Sequence, residues 1–445
     1  MYLYIVSIFY HVIMYMVPDI MNLILEKLGL YEKINFIETS KINNNYKHNI
    51  IFDDFIEYSM ISNLSYVKSF SRIKIKDVDS IRNNIPITYT LIYATHMKIY
   101  SNYNTIIGHC LTPKLTYLTF KHTFNENINY IPNTVTHLFF GNSFDKKIGF
   151  LLPDSIKHLT FGNAFNKNID NCLPKSITHL TLGNYFNQKI EKCLPDTITH
   201  LVLGDNFRQN IKKYLPKSII HLNLGNSNSQ HFSPYNNKQF LPNTITHLTF
   251  GNYFNHEIKN CLSESIKYLT FGFMFNKTIE NCLPASIEYL SFGYSFNQNI
   301  KNCLSASIKY LFFGNNFNQS INDCLPASIK YLSFGYNFNQ NIKDCLPASV
   351  TNLSFGHYFN QNINNCIPLT VKYLKFGKHF NHPVQNYIPA SVTDLYLATY
   401  NAKIIHNLPK TIINLYIDNL CNTRTKIYIP KFIKHFYIEG IELIR

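Results

Sequence analysis

The sequence predicts a mainly β fold: a parallel solenoid of about sixteen 21-residue turns behind a small N-terminal α-helical module. Three observations predict it. The stretch from Leu173, LPKSITHLTLGNYFNQKIEKC, is followed at Leu194 by a second copy, and variations on it fill the chain from about residue 111. A repeat of that length is one supersecondary unit that buries its apolar face only by stacking on its neighbours. Ile177, Leu180 and Leu182 follow an I-x-x-L-x-L spacing, which puts the two leucines on one face of a short strand and His179 and Thr181 on the other. Finally, 46% of the 445 residues are hydrophobic and 15% aromatic, enough for a continuous core.

The first sixteen residues are an apolar segment that lacks a basic start and a small-residue cleavage site. It is also shorter than the roughly 20 residues a membrane helix needs, so neither a signal nor an anchor is expected, and a start at Met14 or Met16 would remove most of it. Residues 17–60 read as the helical module. Pro18 suits a first helical position with Asp19 beside it, Ile20, Leu23, Ile24 and Leu28 recur at helical spacing, and Gly29 ends that helix. Residues 61–110 hold no clean repeat and are expected as linker plus a degenerate capping turn, with Thr90–Ala94 as the apolar run of that turn.

The solenoid is expected over residues 111–445, with an irregular C-terminal cap from about residue 398, where Ala398 replaces the glycine and Tyr400-Asn401 the Phe-Asn pair. Within the unit, Pro174 fits the corner before the strand, Gly183-Asn184 the turn after it, and Phe186 and Ile190 the core. Asn187 repeats at Asn255, Asn276, Asn297, Asn318, Asn339 and Asn360, a spacing that allows an amide ladder between turns. The spacing lengthens once, by five residues, in the polar stretch 226–240, a binding loop or a tolerated insertion.

Eight of the ten cysteines, Cys172, Cys193, Cys261, Cys282, Cys303, Cys324, Cys345 and Cys366, fall at one position of the repeat. Side chains stacked at the strand spacing all point the same way, whereas a disulfide needs Cβ atoms turned toward each other. The column reads as reduced thiols serving as small hydrophobes, which favours a cytoplasmic setting. The formal net charge of +15 is spread through the units with no dense run of lysines, so neither nucleic acid nor membrane is expected as a partner.

The strand positions between the apolar columns form the available face. One column reads His137, His158, His179, His200, His221 and His247, then Tyr268, Tyr289, Tyr310 and Tyr331, with Tyr373 beyond Asn352. Rigid amphipathic rings on a regular sheet suit protein recognition; a ladder that stacks only on itself, with no ligand, is the other reading. A line of imidazoles offers a metal no tetrahedral closure. No nucleophile with a base, phosphate loop or paired carboxylates stand in a distinctive context, so no cofactor, metal or catalytic residue is expected, nor enzymatic activity.

The pattern L-P-x-S-I-x-x-L-x-F-G-x-x-F-N-x-x-I, met at Phe186, Asn187, Ile190 and Pro195 and held over about residues 111–440, is similar to the FNIP repeat family, a leucine-rich-repeat-like module. Residues 17–60 resemble an F-box: Val17-Pro18 stands for its opening Leu-Pro, Ile24, Leu25 and Leu28 for its I-L-x-x-L element, and Ser40-Lys41 for the end of its later helix. That resemblance implies docking onto a Skp-type adaptor of a cullin ubiquitin ligase, with Pro18, Ile24, Leu25 and Leu28 as contacts and the repeats presenting an unknown target protein. A helical cap on a protein-binding or structural scaffold with no link to ubiquitin is the alternative.

Overall fold

Every leucine that marks the register of the repeat lies inside a strand, because its neighbours on either side alternate between water and core. In the computed structural model the described residues are 56–58, 70–75, 94–100 and, from 113 to 442, all but 129, 150, 151, 212, 213, 227–240, 383, 385 and 420–427. Residues 17–55, with Pro18, Ile24, Leu25 and Leu28, and most of the 226–240 insertion therefore lie outside the described residues. The chain divides into two compact units, Met1–Ile177 and Thr178–Arg445.

Among the described residues the first unit carries six strands: β1 (Ile56–Glu57), β2 (Arg72–Ile75), β3 (His96–Ile99), β4 (Tyr117–Phe120), β5 (His137–Phe139) and β6 (His158–Thr160). Each pairs in parallel with the next, in the register Ile56, Ile73, Met97, Leu118, Leu138, Leu159. Two expectations change here. The last residues of the stretch read as helical form β1, and the stretch read as linker contributes β2 and β3, the latter just beyond the Thr90–Ala94 run. Ile73 and Met97 take the place of the repeat leucine and are fully buried; the backbone ladder needs an apolar residue there, not a leucine.

The second unit begins with β7 (His179–Thr181), β8 (His200–Val202), β9 (His221–Asn223) and β10 (His247–Thr249). It continues through β11 (Tyr268–Thr270), β12 (Tyr289–Ser291), β13 (Tyr310–Phe312), β14 (Tyr331–Ser333) and β15 (Asn352–Ser354). β16 (Tyr373–Phe376), β17 (Asp394–Thr399), β18 (Asn414–Asn419), β19 (His435–Ile438) and β20 (Ile441–Glu442) complete it. β7 to β19 pair in parallel in sequence order. β20 folds back antiparallel on β19, through Glu439 and Gly440 at φ 49° and 80°. Two residues at positive φ are what a tight hairpin requires, and the short return strand blunts the open edge of the sheet.

The expected decay from residue 398 is a decay of motif, not of strand. β17 and β18 are six residues long, twice the length of most others. Where the column holds glycine the chain turns sharply against the turn before it; with Ala398 there the backbone stays extended to Thr399. Asn401, in the position of the repeat asparagine, caps the short helix α1 (Ala402–Ile405), its side chain accepting from the backbone N–H of Lys403 and Ile404.

Three stacked systems hold the turns of the second unit together. Two phenylalanine spines fill the core: Phe250, Phe271, Phe292, Phe313, Phe334, Phe355 and Phe376 lie with neighbouring ring centres 5.3–5.8 Å apart. The phenylalanines of the Phe-Asn pairs stack at 6.0–6.2 Å beside them. Hydroxyls of the serine column donate to the backbone one turn back, as Ser286 to Ile266 at 2.7 Å and Ser328 to Ile308 at 2.6 Å. The asparagine ladder forms too, but each side chain serves the next turn instead of its own. Asn276 accepts from the N–H of Asn297, Asn297 from Asn318 and Asn318 from Asn339, each at 2.9 Å.

The cysteine column sits at the far corner. Five of its thiols are buried and three, Cys172, Cys303 and Cys345, half-buried, and none is in a disulfide. Each Sγ donates to a carbonyl two residues back, for example Cys366 to Asn364 at 3.1 Å. Burial pushes up the thiols of Cys172, Cys303, Cys324, Cys345 and Cys366, and that of Cys282 to about 11, so these are protonated and poor nucleophiles at neutral pH. The residue before the cysteine is left-handed, with φ of 53–59° at Asn260, Asn281, Asn302, Asp323, Asp344 and Asn365. Asn and Asp tolerate that conformation better than other side chains, which explains their recurrence there.

Candidate protein-recognition face

Strand alternation turns the repeat leucines inward and the His/Tyr column outward, as the half-exposed, buried, half-exposed pattern of β5 to β10 shows. In the first unit His96, Tyr117, His137 and His158 stack face to face at 4.0–4.2 Å. His96 and Tyr117 extend the column beyond its expected start at His137. The signal was present: Thr95-His96 repeats the Thr-His pair of later turns.

In the second unit His179, His200, His221 and His247 stack at 3.8–4.2 Å, and Tyr268 lies 4.2 Å from His247. Threonine hydroxyls orient the imidazoles: Thr178, Thr199 and Thr246 sit 2.8–2.9 Å from Nδ1 of the histidine that follows each. Thr199 Oγ1 also reaches the carbonyl of Thr178 at 3.2 Å. One hydroxyl hydrogen cannot serve both, so a hydroxyl that donates to the carbonyl accepts from Nδ1–H and leaves Nε2 as the outward acceptor.

Beyond Tyr268 the ladder loosens. Tyr268, Tyr289 and Tyr310 are 6.0 and 6.4 Å apart and tilted by 31° and 35°; Tyr310 and Tyr331 lie 4.8 Å apart. Imidazole faces are covered by the next imidazole, whereas the longer phenols splay. Tyr268, Tyr310 and Tyr331 are 41%, 36% and 38% exposed. Tyr373 lies further along, its hydroxyl pushed up by burial and then by the charges around it, among them Asp394 and Asp418. The expected column thus splits into a self-stacked histidine part and an open tyrosine part.

Sequence reasoning passed over the cations beside those tyrosines. Lys267, Lys309, Lys330 and Lys372 precede Tyr268, Tyr310, Tyr331 and Tyr373, and all four are exposed. Glu288 interrupts them, bound to Lys309 at 2.7 Å, and that contact holds its carboxyl below the usual range. Lys375 lies over the ring of Tyr396 at 3.9 Å, and Tyr416 and Tyr437 stack at 4.7 Å beyond it. Spread through the sequence one per turn, these lysines gather into a column only when the turns stack.

The histidine part carries a pH prediction. Burial is the largest cause lowering His158, His221 and His247 below the ordinary histidine value, with Lys157 and His221 adding to the first and last. The unfolded chain therefore binds protons more readily than the folded one, so the stability these neutral rings contribute is present above about pH 6.5 and is lost as pH falls below it. Hydrogen exchange, corrected for its intrinsic pH dependence, is expected to speed up in β8 to β10 between pH 7 and 5.5 and to stay level in β12 to β14. Equal protection in the two groups at pH 5.5 would contradict it.

Among the described residues no helix is long and apolar enough to cross a membrane, and no three His, Cys, Asp or Glu side chains are grouped to hold a metal.

The FNIP repeat model matches residues 102–143, 144–185, 186–227, 208–253, 254–295, 296–337 and 338–379. The chain belongs to the FNIP repeat family. Most of these stretches span two turns of the solenoid. This FNIP repeat protein is similar to CroV588, described as a circular leucine-rich-repeat protein, with 36% identity and a TM-score of 0.66 over 83% of this chain. It spans 59% of that protein's length. YopM from Yersinia enterocolitica is 15% identical with a TM-score of 0.41, over 78% of this chain and 85% of YopM. A protein of Acanthamoeba polyphaga mimivirus, named as a candidate F-box protein, is 25% identical over 118 residues, 26% of this chain and 44% of that protein.

Proposed function

We propose that the FNIP repeat protein is a non-enzymatic substrate-recognition adaptor of the cytoplasm. Its F-box-like module, residues 17–60, docks onto a Skp-type adaptor of a cullin ubiquitin ligase, and its strand face holds a target protein. The observation that carries the recognition half is the open tyrosine column, Tyr268, Tyr310 and Tyr331, flanked by the exposed Lys267, Lys309 and Lys330. Rings that offer an apolar body and a polar tip, held rigidly beside cations, suit an acidic protein surface. Similarity to a mimivirus protein named as a candidate F-box protein supports the docking half. The mechanism is proximity: a target held beside the conjugating enzyme reacts at high effective concentration, with no chemistry in this chain.

Co-purification with a Skp-type protein is the test. The full chain is expected to retain it, and Leu25→Asp with Leu28→Asp is expected to abolish binding while circular dichroism shows the solenoid intact. Binding that persists in the double variant removes Leu25 and Leu28 as the interface. No binding by the unaltered chain leaves a protein-binding scaffold without a ubiquitin link.

A further inference from the structure

On the turn edge of the second unit, away from the strand face, an open groove of about 620 Å³ runs across several turns. Its volume lies in the range of small-ligand sites. Asn297, Asn318, Asn339 and Asn360 form its floor, with Asn316 and Asn337 beside them. Among the described residues no Lys, Arg, Asp or Glu side chain lines it.

The floor amides are fixed in orientation. Oδ1 of Asn318 accepts from the N–H of Asn339 at 2.9 Å and from Nε2 of Gln340 at 3.0 Å. Oδ1 of Asn297 and Asn339 are held in the same way by the asparagine and glutamine of the turn that follows each. The side-chain carbonyls of Asn297, Asn318 and Asn339 are each occupied by two donors and that of Asn360 by the N–H of Asn381 at 3.0 Å, so these amide planes are held, and what remains to offer is the NH2 group. Asn316 accepts from Asn337 Nδ2 at 3.1 Å, so it too presents NH2, and Asn337 supplies a carbonyl. The groove is therefore a row of neutral donors, one per turn, at the strand spacing of about 4.8 Å.

At one end stand two rings. Tyr358, 44% exposed, lies 4.8 Å from His379 and edge-on to Tyr336 and His357 at 5.1 Å. They make an aromatic wall at the end of the donor row.

We propose that this groove binds a linear neutral oligosaccharide. Hydroxyl and ring oxygens supply the acceptors the NH2 row lacks, and a hydroxyl rotates to donate where Asn337 accepts. The C–H face of a sugar ring stacks on Tyr358. One linked pyranose is about as long as one strand spacing, so successive sugars meet successive amides. An extended peptide fits poorly: it presents like groups on one side only every ~6.8 Å, out of step with the row, and its N–H groups would face donors. Phosphate or sulfate would find no fixed cation on the floor.

The repeat itself offers a clean test. Asp145 occupies the ladder position in an earlier turn, where its Oδ1 accepts from the N–H of Asn166 at 2.9 Å and its Oδ2 pairs with Lys167 at 2.6 Å; an aspartate keeps the ladder and loses the NH2. Cellohexaose, maltohexaose, chitohexaose and mannohexaose, with a heparin hexasaccharide and an extended peptide for contrast, would be titrated calorimetrically into the full chain. At least one neutral hexasaccharide is expected to bind, more tightly than the heparin or peptide probes. Asn318→Asp with Asn339→Asp is expected to weaken it at least tenfold at unchanged melting temperature, and Tyr358→Ala, outside the ladder, is expected to weaken it as well. The proposal is overturned if no neutral hexasaccharide binds at millimolar concentration, if heparin or the peptide binds better, or if binding survives both variants. No residue of the groove belongs to the strand face, so this result and the Skp result are independent.

Discussion

Phe296→Ala is expected to lower stability by about 3–5 kcal/mol, the ordinary cost of emptying a large aromatic site in a close-packed core. Phe296 is fully buried between Phe275 and Phe317, at 6.0 and 6.1 Å, and lies 3.8 Å from Phe292 of its own turn. The three rings are nearly parallel, so no neighbour can swing into the hole without leaving its own stack. Because each turn touches only its neighbours, the loss should be local before it is global. Hydrogen exchange is expected to show protection falling in β11 to β13 and holding in β17 and β18. Uniform loss along the unit, or a midpoint in urea unchanged from the parent, would show that the spine does not carry the stability assigned to it.

Gly293→Ala is expected to cost at least about 3 kcal/mol although it adds one methyl group and removes nothing. A Cβ at that position would collide with the carbonyl of Gly272, one turn back. Gly314 meets Gly293 in the same way, so the glycine column is where successive turns cross most closely. The obstacle is backbone, which cannot rotate aside like a side chain, and relief requires the turns to separate. Ala398 shows what the fold does when the column holds alanine: the strand runs on to Thr399 instead of turning. A single interior alanine has matched turns on both sides and no freedom to follow. Thermal melting of the full chain is the measurement; a midpoint within a degree of the parent would mean the turns part more easily than this geometry allows.

Much of the fold is legible because period and column are properties of sequence. The spacing of Leu180, Leu201 and Leu222 names the strand, the alternation around each names its inner face, and Phe186 and Ile190 fall in the core as their spacing requires. β1 and β2 were not legible, because Ile73 does the work of the repeat leucine in a segment that otherwise lacks the motif; β3 carries only the Thr95-His96 pair, with Met97 in the place of the leucine. The ladder of Asn187 and its equivalents was legible as a column but not in its direction, since only the stacked backbone shows that each amide serves the following turn.

The candidate sites divide on the same line. Which side chains face outward follows from a two-residue alternation and needs no coordinates, so the His/Tyr column could be read from the chain. Whether those rings are covered depends on how rings of different length pack at one strand spacing. Imidazoles fit face to face and consume each other's surfaces; phenols overreach and stay open. The lysine column and the amide groove join residues 21 or more positions apart, and they exist only because the turns stack in register. By itself the sequence determined the repeat, the strand and the inward face, all set by local periodicity. Tertiary structure alone decided which outward groups are spent on one another and which remain for a ligand, because that depends on distances between turns.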